Sequence, residues 1–119
     1  MPENANNSAE LKVRSEKRDG AVLIIPAGEI DLTSSPTLRV ELKRVQADKP
    51  ARLVIDLSAV PYMDSAGVAT LVEAMQAARK SSTKLVLCGM QDKVRSIFEI
   101  SRLDTVFTIV HDQNAAMGN

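Results

Sequence analysis

Apolar and polar positions along this chain switch between a period of two and a period near 3.6, and the switches mark its elements. Leu11, Val13 and Ser15 open an alternating segment, and Asp19-Gly20 is a strong short-hairpin turn signal. Ala21 to Pro26 reads as the returning strand, with the proline ending it or turning it outward. After a loop over residues 27–33, Ser35 predicts a helix N-cap with Pro36 at the first helical position. Leu38, Leu42 and Val45 then form one apolar stripe, and Lys49-Pro50 closes that helix.

The run Leu53-Val54-Ile55-Asp56-Leu57 is apolar apart from one aspartate, as a strand covered on both faces requires. Pro61 to Gly67 makes a tight loop, and Val68, Leu71, Val72 and Met75 give a second helical stripe ending near Arg79-Lys80. Residues 84–88 predict another strand, Val94, Ile97 and Phe98 a third helix, and residues 106–110 a last strand. This order builds an α/β fold: a mixed, largely parallel sheet with an N-terminal hairpin and helices packed on it. Residues 1–9 and 114–119 read as flexible ends around one domain at 10–113. The order of strands in the sheet stays open.

In such sheets ligands and partners approach the loops at the carboxyl ends of the strands. Two such loops come early, one with Gly28, Glu29 and Asp31, the other with Asp64, Ser65 and Gly67. If their strands are neighbours, Asp31 and Ser65 share one rim.

Composition narrows what that rim does. Fifteen basic residues balance fifteen acidic ones, which removes the electrostatic case for nucleic acid. Aromatic residues number three, too few for a base-stacking platform. The single cysteine, Cys88, cannot form an internal disulfide, and its neighbours Leu85, Val86 and Leu87 make it a packed small hydrophobe. No apolar run reaches the ~20 residues of a membrane span, and the polar start lacks the parts of a signal peptide. A cytoplasmic domain with no membrane partner is the expectation. Dinucleotide, Walker and metal-ligand motifs are missing, so no cofactor is expected.

Ser65 sits where a strand, a loop and a helix meet, and three roles fit it. It caps the helix, as Asp64 equally could. It is a nucleophile on an elbow, although Met63 stands where that motif needs glycine and the only histidine, His111, would have to be the base. Or it is a phosphoacceptor, since a helix start favours negative charge and phosphorylation adds about −1.5 to −2 charges. Asp31 and Asp64 would then repel the phosphate and sharpen the contrast between the two states. Gly67 costs helix stability relative to alanine but lets a backbone or a phosphate come close.

Assembled, these residues resemble the STAS domain family, specifically the bacterial anti-sigma factor antagonists, over about residues 11–110. The matching pieces are Gly28-Glu29-Ile30-Asp31, residues 53–57, Met63-Asp64-Ser65-Ala66-Gly67-Val68, and the stretch from Val94 through Phe98 to Phe107. The resemblance implies a non-enzymatic partner switch. Ser65 matches the serine phosphorylated by a cognate anti-sigma factor serine kinase, and a PP2C-type phosphatase reverses the modification. The unphosphorylated form binds the anti-sigma factor and frees the sigma factor. Asp31, Asp64, Gly67 and Met63 are the expected partner-binding residues, in a monomer or weak dimer. The alternatives are a non-switching STAS scaffold or a switch with a non-sigma output. Ala66 and Ala69 depart from common family residues without removing the hydroxyl.

Overall fold

Two left-handed residues, Asp19 at φ 48° and Gly20 at φ 83°, reverse the chain and create the hairpin that begins the sheet. The structure is a computed structural model describing residues 10–118. Strand β1 spans Lys12–Arg18 and pairs antiparallel with β2, Ala21–Ala27. Helix α1 (Ser35–Gln46) follows, then β3 (Arg52–Asp56), α2 (Ser65–Lys80), β4 (Lys84–Cys88) and α3 (Asp92–Ile100). A 3-10 turn over Leu103–Thr105 leads into β5 (Thr108–Val110) and helix α4 (Gln113–Gly118).

The sheet order is β1-β2-β3-β4-β5, with β2 through β5 mutually parallel. Neighbours in sequence are therefore neighbours in the sheet, which puts the loops after β2 and β3 side by side. The margins are β1, charged at five of its seven positions, and the three-residue β5.

The period of two sorts the sheet's two faces. Val22, Ile24, Leu53, Ile55, Leu85 and Leu87 join the larger core with Leu38, Leu42, Leu71 and Phe98 from the three long helices. Leu23, Val54, Val86 and Cys88 point the other way and pack with Ala116 of α4. Strand β3 is buried on both sides, as its near-continuous apolar run predicts. Phe98 and Phe107 meet edge to face, their ring centroids 5.5 Å apart.

Besides the last strand, which starts at Thr108 rather than at residue 106, the fold departs from the sequence expectations in four places. The N-cap position of helix α1 is Ser34, whose side chain makes no cap bond, rather than Ser35, which is the first helical residue and buried. It ends at Ala47, before Lys49 turns left-handed. Helix α2 buries Thr70, Ala74 and Ala78 beside Leu71 and Met75, because small side chains on that flank let α1 approach; Gln46 donates to the Ala74 carbonyl at 2.9 Å.

The fourth concerns the C-terminal segment. A flexible end was expected from residue 114, and the chain is helical there instead. Gln113 donates to Asp56 Oδ2 at 2.6 Å, and Arg52 donates to the Ala116 carbonyl at 2.8 Å. These bonds strap α4 antiparallel across β3, and Ala116 is buried under it. The expected flexible segment 1–9 lies outside the described residues.

Candidate functional site

The rim is built by backbone bonds that carry the sheet beyond its strands. Pairing of β2 with β3 stops at Ile24 and Ile55. Past that point Gly28 N–H donates to the Ala59 carbonyl and Ile30 N–H to the Tyr62 carbonyl, each at 3.0 Å. Asp64 N–H returns to the Ile30 carbonyl at 3.1 Å, and Ile30 and Met63 form a parallel bridge. The loops that carry Asp31 and Ser65 are therefore stitched together, on one rim as the topology predicted.

Asp64 closes the stitch. Its Oδ1 accepts from the N–H groups of Ala66 (2.9 Å) and Gly67 (3.1 Å), which caps α2. Its Oδ2 accepts the Leu32 N–H of the neighbouring loop at 3.0 Å. One carboxylate thus caps a helix and braces a loop 32 residues away in sequence.

Asp31 organises the other loop. Its Oδ1 accepts from the N–H groups of Thr33 and Ser34, each at 3.0 Å. The Ser34 hydroxyl accepts from Asp31 N–H at 2.9 Å and donates to the Glu29 carbonyl at 2.8 Å. Most of this loop's polar groups have partners before any other protein arrives.

Ser65 is among the exceptions, with the Thr33 and Tyr62 hydroxyls and the Glu29 carboxylate. It is the first residue of α2 and exposed, and among the described residues nothing hydrogen-bonds its hydroxyl. The cap reading therefore belongs to Asp64. The N–H groups of Ala66 and Gly67, which a phosphate at the helix start would seek, are already held by Asp64. Ser65 faces outward with its hydroxyl uncommitted.

Two expected partner-binding residues have other positions. Met63 is fully buried beneath the rim, so its side chain packs the core and cannot touch a docking protein. Gly67 is buried as well, and a Cβ there would lie 2.5 Å from Met63 Cγ and 2.8 Å from the Ile30 carbonyl oxygen. Its close approach is to this chain's own backbone. Asp31 and Asp64 do lie at the rim, each partly exposed.

Sequence reasoning missed Leu32. Its side chain is 76% exposed, beside the residue that caps α2. A leucine among Asp31, Thr33 and Ser34 in a turn was the available signal. Tyr62, half exposed, flanks the second loop.

Elsewhere the chemistry is structural. Arg39 and Glu73 pair through two hydrogen bonds, 2.7 and 3.0 Å, tying α1 to α2. That hydrogen bonding holds the Glu73 carboxyl below its ordinary range. His111 opens onto a cleft with Asp56, Ser58 and Gly89, and Ser65 does not line it. His111, the base that the elbow reading requires, thus shares no cleft with Ser65. Among the described residues no group of three or more His, Cys, Asp or Glu could hold a metal ion, and no helix is long and apolar enough to cross a membrane.

Residues 12–116 match the family model of the STAS domain, nearly the whole described chain. The chain belongs to the STAS domain family. An anti-sigma-B factor antagonist of Listeria monocytogenes is 34% identical over 114 residues, covering 96% of this chain and 97% of that one. The crystal structure of an anti-sigma factor antagonist from Mycobacterium paratuberculosis superposes at a TM-score of 0.86 with 27% identity, over 92% of this chain and 93% of that one. The Bacillus protein SpoIIAA, solved unphosphorylated and phosphorylated, shares the STAS fold at a TM-score of 0.68 in both forms. Identity is 15% and 18%, over 87% of this chain and 92% and 96% of those chains.

Proposed function

We propose that this STAS domain is an anti-sigma factor antagonist whose binding is gated by phosphorylation of Ser65. Unphosphorylated, it binds a cognate anti-sigma factor and so releases the sigma factor. That anti-sigma factor is also a serine kinase. Ser65 Oγ attacks the γ-phosphorus of ATP on the kinase, the β–γ P–O bond breaks, ADP leaves, and the hydroxyl proton passes to a base on the kinase. A PP2C-type phosphatase restores the hydroxyl by hydrolysing the ester to inorganic phosphate.

The observation that carries this reading is the Ser65 hydroxyl, exposed and unbonded at the first position of α2, on a rim whose backbone is braced by Asp31 and Asp64. A modification there needs no bond of the fold to break. With the nearest helix N–H groups held by Asp64, the added charge stays on the surface beside Asp31 and Asp64 and acts on whatever docks. A surface matched to a neutral hydroxyl then meets several like charges, at a cost of several kcal/mol. The antagonist names of relatives support the sigma-directed role. Retention of one fold by SpoIIAA in both forms supports a switch that works at the interface.

The test is capture from source-cell lysate with Ser65→Ala and Ser65→Asp baits, followed by phosphorylation of wild type by the captured protein and ATP. An ATP-binding kinase held by the alanine bait, lost from the aspartate bait and labelling wild type at Ser65 is the expected result. The same proteins on both baits would make the domain a non-switching scaffold.

A further inference from the structure

Five large apolar side chains are exposed on the described surface: Leu32, Val40, Tyr62, Ile100 and Val106. Scattered apolar residues are ordinary on proteins. Leu32 differs from the rest in how it is held. Its own N–H is fixed by Asp64 Oδ2, and Asp64 is the residue before Ser65. The preceding residue, Asp31, bonds the N–H groups of Thr33 and Ser34 on its other side. Leu32 is thus clamped from both directions while its side chain packs against nothing that shields it.

Turn positions of this kind favour Asp, Asn, Ser, Thr or Gly, because their side chains bond the local backbone or allow unusual dihedrals. Leucine supplies neither. It adds nothing to the core, and it exposes apolar surface to water. A loop whose backbone is fixed in advance need not be ordered on binding, so less of the burial free energy of its side chain is spent on ordering.

We infer that Leu32 is the apolar anchor of the docking rim, seated in an apolar pocket that the anti-sigma kinase carries beside its phosphoryl-donor site. This rests on the phosphoacceptor reading of Ser65. The tie through Asp64 sets the anchor in fixed register with the acceptor, so seating Leu32 places the Ser65 hydroxyl at the transfer site. The surrounding acidic groups, exposed Glu29 and partly exposed Asp31, suit a pocket bordered by cations or hydrogen-bond donors. Leu32 touches no reacting atom. Its role is positioning, and it shows in binding more than in the chemical step.

The experiment uses the full chain and the purified kinase identified by the Ser65→Ala capture. Kd is measured for the Leu32→Ala and Leu32→Met variants, and KM and kcat are measured for Ser65 phosphorylation. Leu32→Ala is expected to raise Kd and KM about tenfold to fiftyfold, from the apolar burial lost, with kcat within about twofold. Leu32→Met, which keeps the apolar volume, should stay within about threefold of wild type. Thermal midpoints of both variants should match wild type, since the side chain packs against no core residue.

Unchanged Kd and KM for Leu32→Ala, with wild type still phosphorylated at Ser65, would overturn the anchor and leave the phosphoacceptor reading standing. An equal loss from Leu32→Met would overturn it too. So would an effect of Leu32→Ala confined to self-association in sedimentation, which would make the occupant a second copy. Failure of wild type to be phosphorylated at all would remove both readings.

Discussion

Gly67 lies against the Ile30 carbonyl so closely that a single added methyl group would stand 2.8 Å from its oxygen. The same methyl would be 2.9 Å from Ile30 Cγ2. Met63 is fully buried, with its Cγ 2.5 Å from that methyl, and the Ile30 carbonyl is held by Asp64 N–H, so neither can retreat cheaply. Gly67→Ala, ordinarily favourable in a helix, should destabilise the domain by ~1–3 kcal/mol through this overpacking. Chemical denaturation with unchanged m-value checks it. A stabilised variant would mean that the α2 start is free to shift off the neighbouring loop.

Asp64 gives a graded series. Asp64→Ala removes the acceptor for three backbone N–H groups and should cost ~1–2 kcal/mol as a lost cap, plus the loosening of the Leu32 loop. Asp64→Asn keeps one oxygen, so it should retain either the cap or the brace and fall between wild type and alanine. Amide hydrogen exchange separates the two: loss of the brace speeds exchange at Leu32, loss of the cap at Ala66 and Gly67.

These residues mark what could be read before the structure was known. The hairpin, the buried strands and the start of α2 follow from short-range signals: Asp19-Gly20, the apolar runs at 53–57 and 84–88, and Asp64-Ser65 ahead of an apolar stripe. The Asp64–Leu32 bond is invisible in the sequence because it joins loops whose adjacency exists only once the sheet is ordered. Met63 was misplaced for the same reason. A methionine beside an exposed serine looks available until the opposite loop covers it. Helix α4 is too short to form by local preference, and its pattern carries no period; Arg52 and Asp56, both distant in sequence, hold it.

Cys88 tests the strap. Burial, with smaller contributions from Asp56 and Asp112, pushes its thiol up to about 12. It should not react with a disulfide reagent in the native protein at pH 8, and should react fully once unfolded. The pH consequence has a definite sign. The folded state disfavours the thiolate, so the stability this thiol lends is fully present below about pH 9, the ordinary value, and declines as pH rises toward 12. Cys88→Ala should flatten that alkaline decline in denaturation midpoints measured between pH 8 and 10.

Ala116 provides the complementary test. Ala116→Glu places a carboxylate against the apolar side chains of Leu23, Val54 and Val86 and the Cys88 thiol. The helix should lift rather than bury the charge. Expected results are a lower thermal midpoint and a Cys88 thiol that now reacts in the folded protein. Wild-type reactivity in this variant would mean that the sheet face is closed without α4.

The two sheet margins carry a consequence for life in a crowded cell. An edge strand invites another chain to extend the ladder, and β1 answers with lysines, arginines and a glutamate, β5 with mere shortness. Cross-strand polymerisation is discouraged at both ends. For the proposed partner switch, such margins leave docking to the side chains of the rim loops rather than to an extended ladder.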